Sequence, residues 1–352
     1  MSKDVVVVVS LQQVDTSVDA LDILLVSTAG AKDAKSYRTL EGLKADWAED
    51  TSIYKRAAAI FGQGKARPAP EKLIQKVKVV GLETPESPEA LVNAIKEYQK
   101  KDNDWYLFMT DQEGDSYIVA LSKFAEDSEP SEAELAAGKE DHRKFYFAQT
   151  NNKELKAKAR RSAVIYTETP GEQAAAAWIG TVGPWYPQSV TWKFKMPMGI
   201  SVPALTEEEI GALEENHINF VTNEYKRNYI KNGCCLDGEW IDAILGGDWI
   251  AKTMREKLYD IFLNNPNIPY TDAGFTLIAA GVFETLEDAT GYSILARSPE
   301  SGAGIYNVMV PKRSEVTEEQ AASRQMPDIG WEAQLGGAVH GAKIKGTLKV
   351  TL

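Results

Sequence analysis

Cysteine and histidine are scarce in this 352-residue chain: two cysteines, Cys234 and Cys235, and three histidines, His142, His217 and His340. The cysteines are adjacent and poorly placed for an ordinary disulfide with each other, so a reducing compartment fits. The histidines lie far apart with no H-E-x-x-H pair, and no structural metal or cofactor is expected. With no histidine base nearby in sequence, Cys234 and Cys235 read as small residues of a strand or turn rather than nucleophiles.

Long apolar runs are also missing. The run Val5 to Val9 is too short for a signal-peptide core and ends at Ser10, Gln12 and Gln13. No window approaches the roughly 20 apolar residues that a membrane helix needs. Membrane insertion is not expected, and the chain is expected to be made in the cytoplasm and to stay there unless the cell lyses. Positive charge is in deficit, with 39 Lys plus Arg against 51 Asp plus Glu and a net charge of -12, which argues against direct binding of nucleic acid. Ser27-Thr28-Ala29-Gly30-Ala31-Lys32, after the first strand, has neither G-x-G-x-x-G nor the P-loop spacing, and there is no G-x-S-x-G elbow. The reading is therefore of a chain that is not an enzyme.

What is present is alternation. From Asp22 to about Met196 short apolar runs alternate with helix-like stretches, the pattern of a layered α/β domain. Strands are predicted at Ile23 to Val26, Lys76 to Val80, Trp105 to Phe108, Phe145 to Phe147 and Ala163 to Tyr166. Helices are predicted at Ile53 to Phe61, Pro88 to Gln99, Tyr117 to Phe124 and, built of small residues, Gly171 to Ile179. In the second of these Ser87 caps, Pro88 suits the first turn, and Leu91, Ile95 and Tyr98 share a buried face. The acid-rich stretch Glu126 to Asp141 lacks calcium-loop spacing and reads as a solvated insertion.

Texture changes after Met196-Pro197-Met198-Gly199. An acidic helix is predicted at Thr206 to Asn216, an extended region at Ile218 to Cys235, long helices from Asp237 to about Leu263 and from Ala273 to Asp288, and mostly strand beyond. His217, between Asn216 and Asn219, reads as part of a turn with capping amides. Asp237, Glu239, Asp242 and Asp248 interleave with Trp240, Ile241, Ile244, Leu245 and Trp249 as on an amphipathic helix capped by Asp237. The expected organisation is an N-terminal β arm and linker at 1–20, a layered α/β domain at 21–199, an α+β C-terminal domain at 200–340 and a C-terminal β arm at 341–352. Overall the fold class is α/β grading into α+β.

The ends carry the strongest pattern. Ile344, Gly346, Leu348, Val350 and Leu352 alternate with Lys343, Lys345, Thr347, Lys349 and Thr351, and Val5, Val6, Val7, Val8 and Val9 form a β-branched block. Exposed, either end is an aggregation edge. Both strands can complete the chain's own sheet, or they can reach out and add to a neighbour's, which makes the protein a polymer subunit. Lys343, Lys345 and Lys349 are candidates for charge contacts with Glu207, Glu208 and Glu209 across subunits.

At this point the sequence resembles the contractile tail sheath proteins of myophages and phage-tail-like bacteriocins. The resemblance rests on motifs in order: Thr191-Trp192-Lys193 with Gly199; Glu215-Asn216-His217-Ile218-Asn219; Gly238-Glu239-Trp240-Ile241-Asp242 followed by Gly247-Asp248-Trp249; Ile268-Pro269-Tyr270-Thr271-Asp272-Ala273-Gly274; Ala322 and Arg324; and Ala338-Val339-His340 before the last strand. It covers the chain from about Leu21 onward and is strongest from 190. It implies a subunit that polymerises helically around a tail tube and contracts to drive the tube through a cell envelope, in a virion tail or tail-like particle assembled in a bacterial host. The implied partners are other copies of itself, joined through the terminal β arms, the tube protein, and baseplate and tail terminator proteins. The alternative is a nucleotide- or metabolite-binding α/β enzyme forming a small oligomer, which the alternating first half keeps open.

Overall fold

The computed structural model describes residues 21–136, 141–187 and 190–343. Its centre is an eight-stranded sheet with strand order β2-β3-β1-β4-β5-β6-β7-β8. The strands are β1 Ile23–Ser27, β2 Lys32–Tyr37, β3 Val77–Gly81, β4 Leu107–Thr110, β5 Phe145–Thr150, β6 Ser162–Tyr166, β7 Asn219–Glu224 and β8 Arg227–Ile230. Strands β3, β1, β4, β5, β6 and β7 run parallel, and β2 and β8 are antiparallel edges. The five strands predicted from apolar runs are all present. Each is buried nearly end to end, because a parallel sheet is covered on both faces and needs apolar residues at every position.

Alternate residues of each strand feed two cores. Ile23, Leu25, Val77, Val79, Leu107, Met109, Phe145 and Phe147 pack under α1 Leu40–Lys44, α2 Ser52–Phe61 and α6 Ala174–Val182. Leu24, Val26, Val80, Phe108, Tyr146, Ala148 and Val164 pack under α3 Pro88–Lys101, α4 Asp115–Glu126 and α7 Glu207–Glu215. The expected cap on α3 is present, with Ser87 accepting from Ala90 N and Leu91 and Ile95 buried. The small-residue helix α6 is buried along its whole length. Its Gly180 lies so close to α2 that a Cβ would sit 2.3 Å from the Ile60 carbonyl oxygen, so only glycine permits this approach.

The sheet does not end at residue 200: β7 pairs with β6 and β8 closes the edge. Asn219, expected as a turn amide, is fully buried in β7. Its Nδ2 donates to the carbonyls of Val164 and Cys234, and its Oδ1 accepts from Cys234 N. The turn belongs instead to His217, in the left-handed region at φ 55° after Asn216 at the end of α7.

Two long helices follow, α8 Ile241–Asn264 and α9 Asp272–Gly291. The first starts later than expected, with Trp240 and not Asp237 at its N-cap. Residues 235–239 form a tight turn in which Asp237 Oδ1 accepts from Glu239 N. In that turn Gly238 takes φ 94° beneath His217, whose ring would stand 2.9 Å from an added Cβ. Ile241, Ile244 and Leu245 belong to the sheet's core, whereas Ile250 joins Val282, Leu286, Ala289, Ile294 and Leu295 in a separate small core. The helix α8 therefore joins the two.

Beyond α9, where mostly strand was expected, the described chain has one two-stranded antiparallel ribbon, β9 Tyr306–Met309 with β10 Gly330–Ala333. Between them lie a 3-10 turn and the short helix α10 Glu318–Ser323. Thr317 caps α10 with a capping box, and the sequence Thr317-Glu318-Glu319-Gln320 encodes it locally.

Candidate functional site

In an open parallel sheet, ligands bind beyond the C-terminal ends of the strands, where connections diverge to opposite faces. Here that place lies between β1 and β4, and hydrogen bonds of the chain itself cross it. Asp111, just after β4, accepts from Ser27 Oγ, Thr28 N and Thr28 Oγ1, and Gln112 Nε2 donates to Thr28 Oγ1. The segment after β1 leads into β2 and not directly into a helix, unlike the strand-to-helix turn that holds phosphates. Arg56, buried on α2, holds the same corner through the Thr110 carbonyl and Glu113.

A cleft of about 490 Å³ opens at the opposite end of the strands. Its lining includes Asp22, Tyr106, Arg143, Lys144, Asp248 and Lys252. Beside it lies a buried ion cluster. Arg161, 1% exposed, donates from Nη2 and from Nη1 to Asp248, from Nη1 to Glu129 Oε2 at 3.2 Å and from Nε to the Lys144 carbonyl at 3.0 Å. Tyr106 OH donates to Asp248 Oδ2 at 2.6 Å, and Arg255 Nη2 donates to Asp141 Oδ2 at 2.8 Å. Burial disfavours the Arg161 charge, but the adjoining Asp248 carboxylate outweighs it and holds the guanidinium above its ordinary range. Burial also pushes the Tyr106 phenol well up, reinforced by Asp248.

This cluster corrects the reading of residues 126–141 as merely solvated. Glu126 Oε2 accepts from the backbone of Arg160 and Arg161, Glu129 meets Arg161, and Asp141 meets Arg255 and Arg143. The acids balance Arg143 ahead of β5, Arg161 ahead of β6 and Arg255 of α8. Because the partners lie far apart in sequence, only an arginine directly ahead of a buried strand, Arg161, and an acid on an apolar helix face, Asp248, hinted at it. Lys144 is buried beside them over the Trp105 ring, donating to the carbonyls of Asn103 and Trp105. Burial brings its ammonium down to about 7.

Cys234 and Cys235 are buried, and burial raises both thiols, Cys234 to about 11. Among the described residues no group of three or more His, Cys, Asp or Glu is placed to hold a metal, and no helix is long and apolar enough to cross a membrane.

The arm residues Val5, Val6, Val7, Val8, Val9, Ile344, Leu348, Val350 and Leu352, with Lys345 and Lys349, lie outside the described residues. Lys343 is exposed, as are Glu207 and Glu208 in the first turn of α7. Glu209 is engaged within the subunit: it closes the Thr206 capping box and pairs with Lys153, whose hydrogen bond lowers its carboxyl below the usual range. The structure does not bring Lys343 and these acids together within one subunit.

Apolar surface is concentrated in the second half. The β9–β10 ribbon region exposes Met309 (51%), Trp331 and Leu335, and α8 ends in Phe262 and Leu263 (77%). Within the described residues β9 pairs with β10, and the segment at Ile294 to Ala296 bridges to Gln334, Leu335 and Gly336 at one end of the ribbon, so that beyond this end the strands have no further strand partner.

No protein-family model and no curated protein matches the chain. Among solved structures the fold is that of tail sheath proteins. A chain in the baseplate of the anti-feeding prophage is similar over 94% of both chains, with TM-score 0.68 and 14% identity. The contracted helical sheath of the same particle is similar over 95% of this chain and 94% of that one, with TM-score 0.64 and 14% identity. A sheath tail protein from Listeria innocua is similar over 82% and 88%, with TM-score 0.51 and 8% identity.

Proposed function

We propose that this chain is a structural, non-enzymatic subunit of a contractile tail sheath. It polymerises helically around a tail tube and shortens to drive the tube through a cell envelope. The observation that carries this reading is the shared fold across 94–95% of the chain with the anti-feeding prophage baseplate and contracted-sheath chains. The order of sheath-like motifs in the sequence supports it independently. The alternative of a nucleotide- or metabolite-binding enzyme is disfavoured by the hydrogen bonds that cross the crevice at Asp111.

Subunits link by strand addition: the segments 1–20 and 341–352 of neighbouring copies complete the ribbon of β9 and β10. The pairing satisfies backbone groups left without a strand partner and covers Met309, Trp331 and Leu335. The particle is a virion tail or tail-like assembly built in a bacterial cytoplasm, with baseplate, tube and terminator proteins as further partners. Lys343, Lys345 and Lys349 meet Glu207 and Glu208 across subunit boundaries. Each exposed pair is worth only about 0.2–1 kcal/mol and is screened by salt, so charge tunes assembly rate while strands supply the link. Incubation of full-length protein and of a 341–352 deletion, imaged by electron microscopy, tests this. Cylinders from the full chain and a folded, unassembled deletion protein are expected; cylinders from both overturn the arm assignment.

A further inference from the structure

Past Gly336, whose N–H is fixed to the Ile294 carbonyl, the described chain runs 337–343 with one residue that is not exposed, His340. Its ring stands edge-on to Trp240, 4.3 Å between centroids at 75°, with Nε2 2.7 Å from Thr191 Oγ1 and with Phe194 6.3 Å away. The floor of this notch is itself under strain. Phe194 sits at φ 60°, in the left-handed region unfavourable for a large side chain, and remains 42% exposed. Gly337, at φ 60°, gives the chain a pivot just ahead of the contact.

We propose that His340 is a clasp: its imidazole, wedged between Trp240 and Thr191, holds the root of the C-terminal segment against the body, and acid releases it. The inference rests on the sheath reading only for its purpose, which is to set the direction in which that segment leaves for a neighbour. A single-residue anchor next to a glycine pivot allows the root to swing without disturbing either core.

The charged groups acting on the ring are Lys193 and Lys195, both from the segment beneath it, and no acid acts on it with comparable strength. Burial, seconded by these two ammonium groups, lowers the imidazole below its ordinary range. Lys195 is itself brought down to about 8 by burial, with Asp242 of α8 opposing. A depressed histidine pKa means that the released form binds the proton more readily. The neutral ring's contribution to docking is therefore fully present above the ordinary histidine value of about 6.5 and is lost as pH falls through the docked value.

Trp240 reports the clasp. Its acrylamide quenching in full-length protein is obtained as the difference between each protein and its Trp240→Phe counterpart. At pH 8 the wild-type indole should be shielded relative to His340→Ala, with Thr191→Val between them. On acidification wild type should rise toward the His340→Ala level with a midpoint below about 6.5, while His340→Ala stays flat. Equal accessibility of wild type and His340→Ala at pH 8, or no change in wild type between pH 8 and 5, overturns the clasp. The readout needs no polymer, so absence of cylinders would contradict the sheath reading and leave this result standing.

Discussion

The residue scale is dominated by buried charge. Arg161, at 1% exposure, has Asp248 as its buried carboxylate partner, so Asp248→Ala leaves the guanidinium with only the more exposed Glu129 to balance it. Breaking one side of such a pair costs about 3–5 kcal/mol, far more than a surface bridge. A fall of that order in unfolding free energy by urea titration is expected, while Lys123→Ala at an exposed bridge should change little. Lys144 makes the opposite case. Its pKa falls from 10.5 to about 7 on folding, so between those values the unfolded chain holds a proton that the folded chain lacks. Stability therefore rises with pH across that window. Lys144→Met should be more stable relative to wild type at pH 7 than at about pH 9.5, read by paired denaturant curves; a gap that does not shrink would mean that the amine stays charged in the fold.

At the scale of elements, legibility followed the range of the interaction. The strands β1, β3, β4, β5 and β6 and the helix α3 were readable because their apolar runs and the Ser87-Pro88 start are local in sequence. The start of α8 was not, because the turn at Gly238 is set by the His217 ring from another segment. The Arg161–Asp248 cluster and the Asn219 bridge between β6 and Cys234 were hidden for the same reason: each joins residues far apart in sequence. The terminal alternation was plain, but what it pairs with is a property of the assembly. The ribbon of β9 and β10 is the proposed receiver, so Trp331→Glu should block polymerisation by placing a charge at the covered face, yet leave the monomer's circular dichroism unchanged because Trp331 is 39% exposed. Normal assembly of that variant would place the receiving edge elsewhere.

For the whole molecule the question is where mechanical work originates. At the crevice where α/β sheets hold nucleotides Asp111 is hydrogen-bonded to Ser27 and Thr28, and the proposed contraction draws its energy instead from a difference in buried surface between two packings of one subunit. At about 25 cal/mol per Å² of apolar surface, a few hundred additional Å² per subunit supplies several kcal/mol, summed along the polymer. The ion cluster ties α8 to the sheet, so in the proposed contraction each subunit moves nearly as a rigid body while the chain around Gly336 to Gly341 absorbs the change. Assembly rate should depend on ionic strength if Lys343 and the α7 acids steer encounter; a flat salt dependence would remove that role.

The most direct test of the central claim is electron microscopy of the full-length protein assembled without nucleotide. Hollow helical cylinders in a long narrow and a short wide form are expected, with conversion running one way. Discrete small oligomers, or a length change that requires ATP or GTP, would contradict the claim.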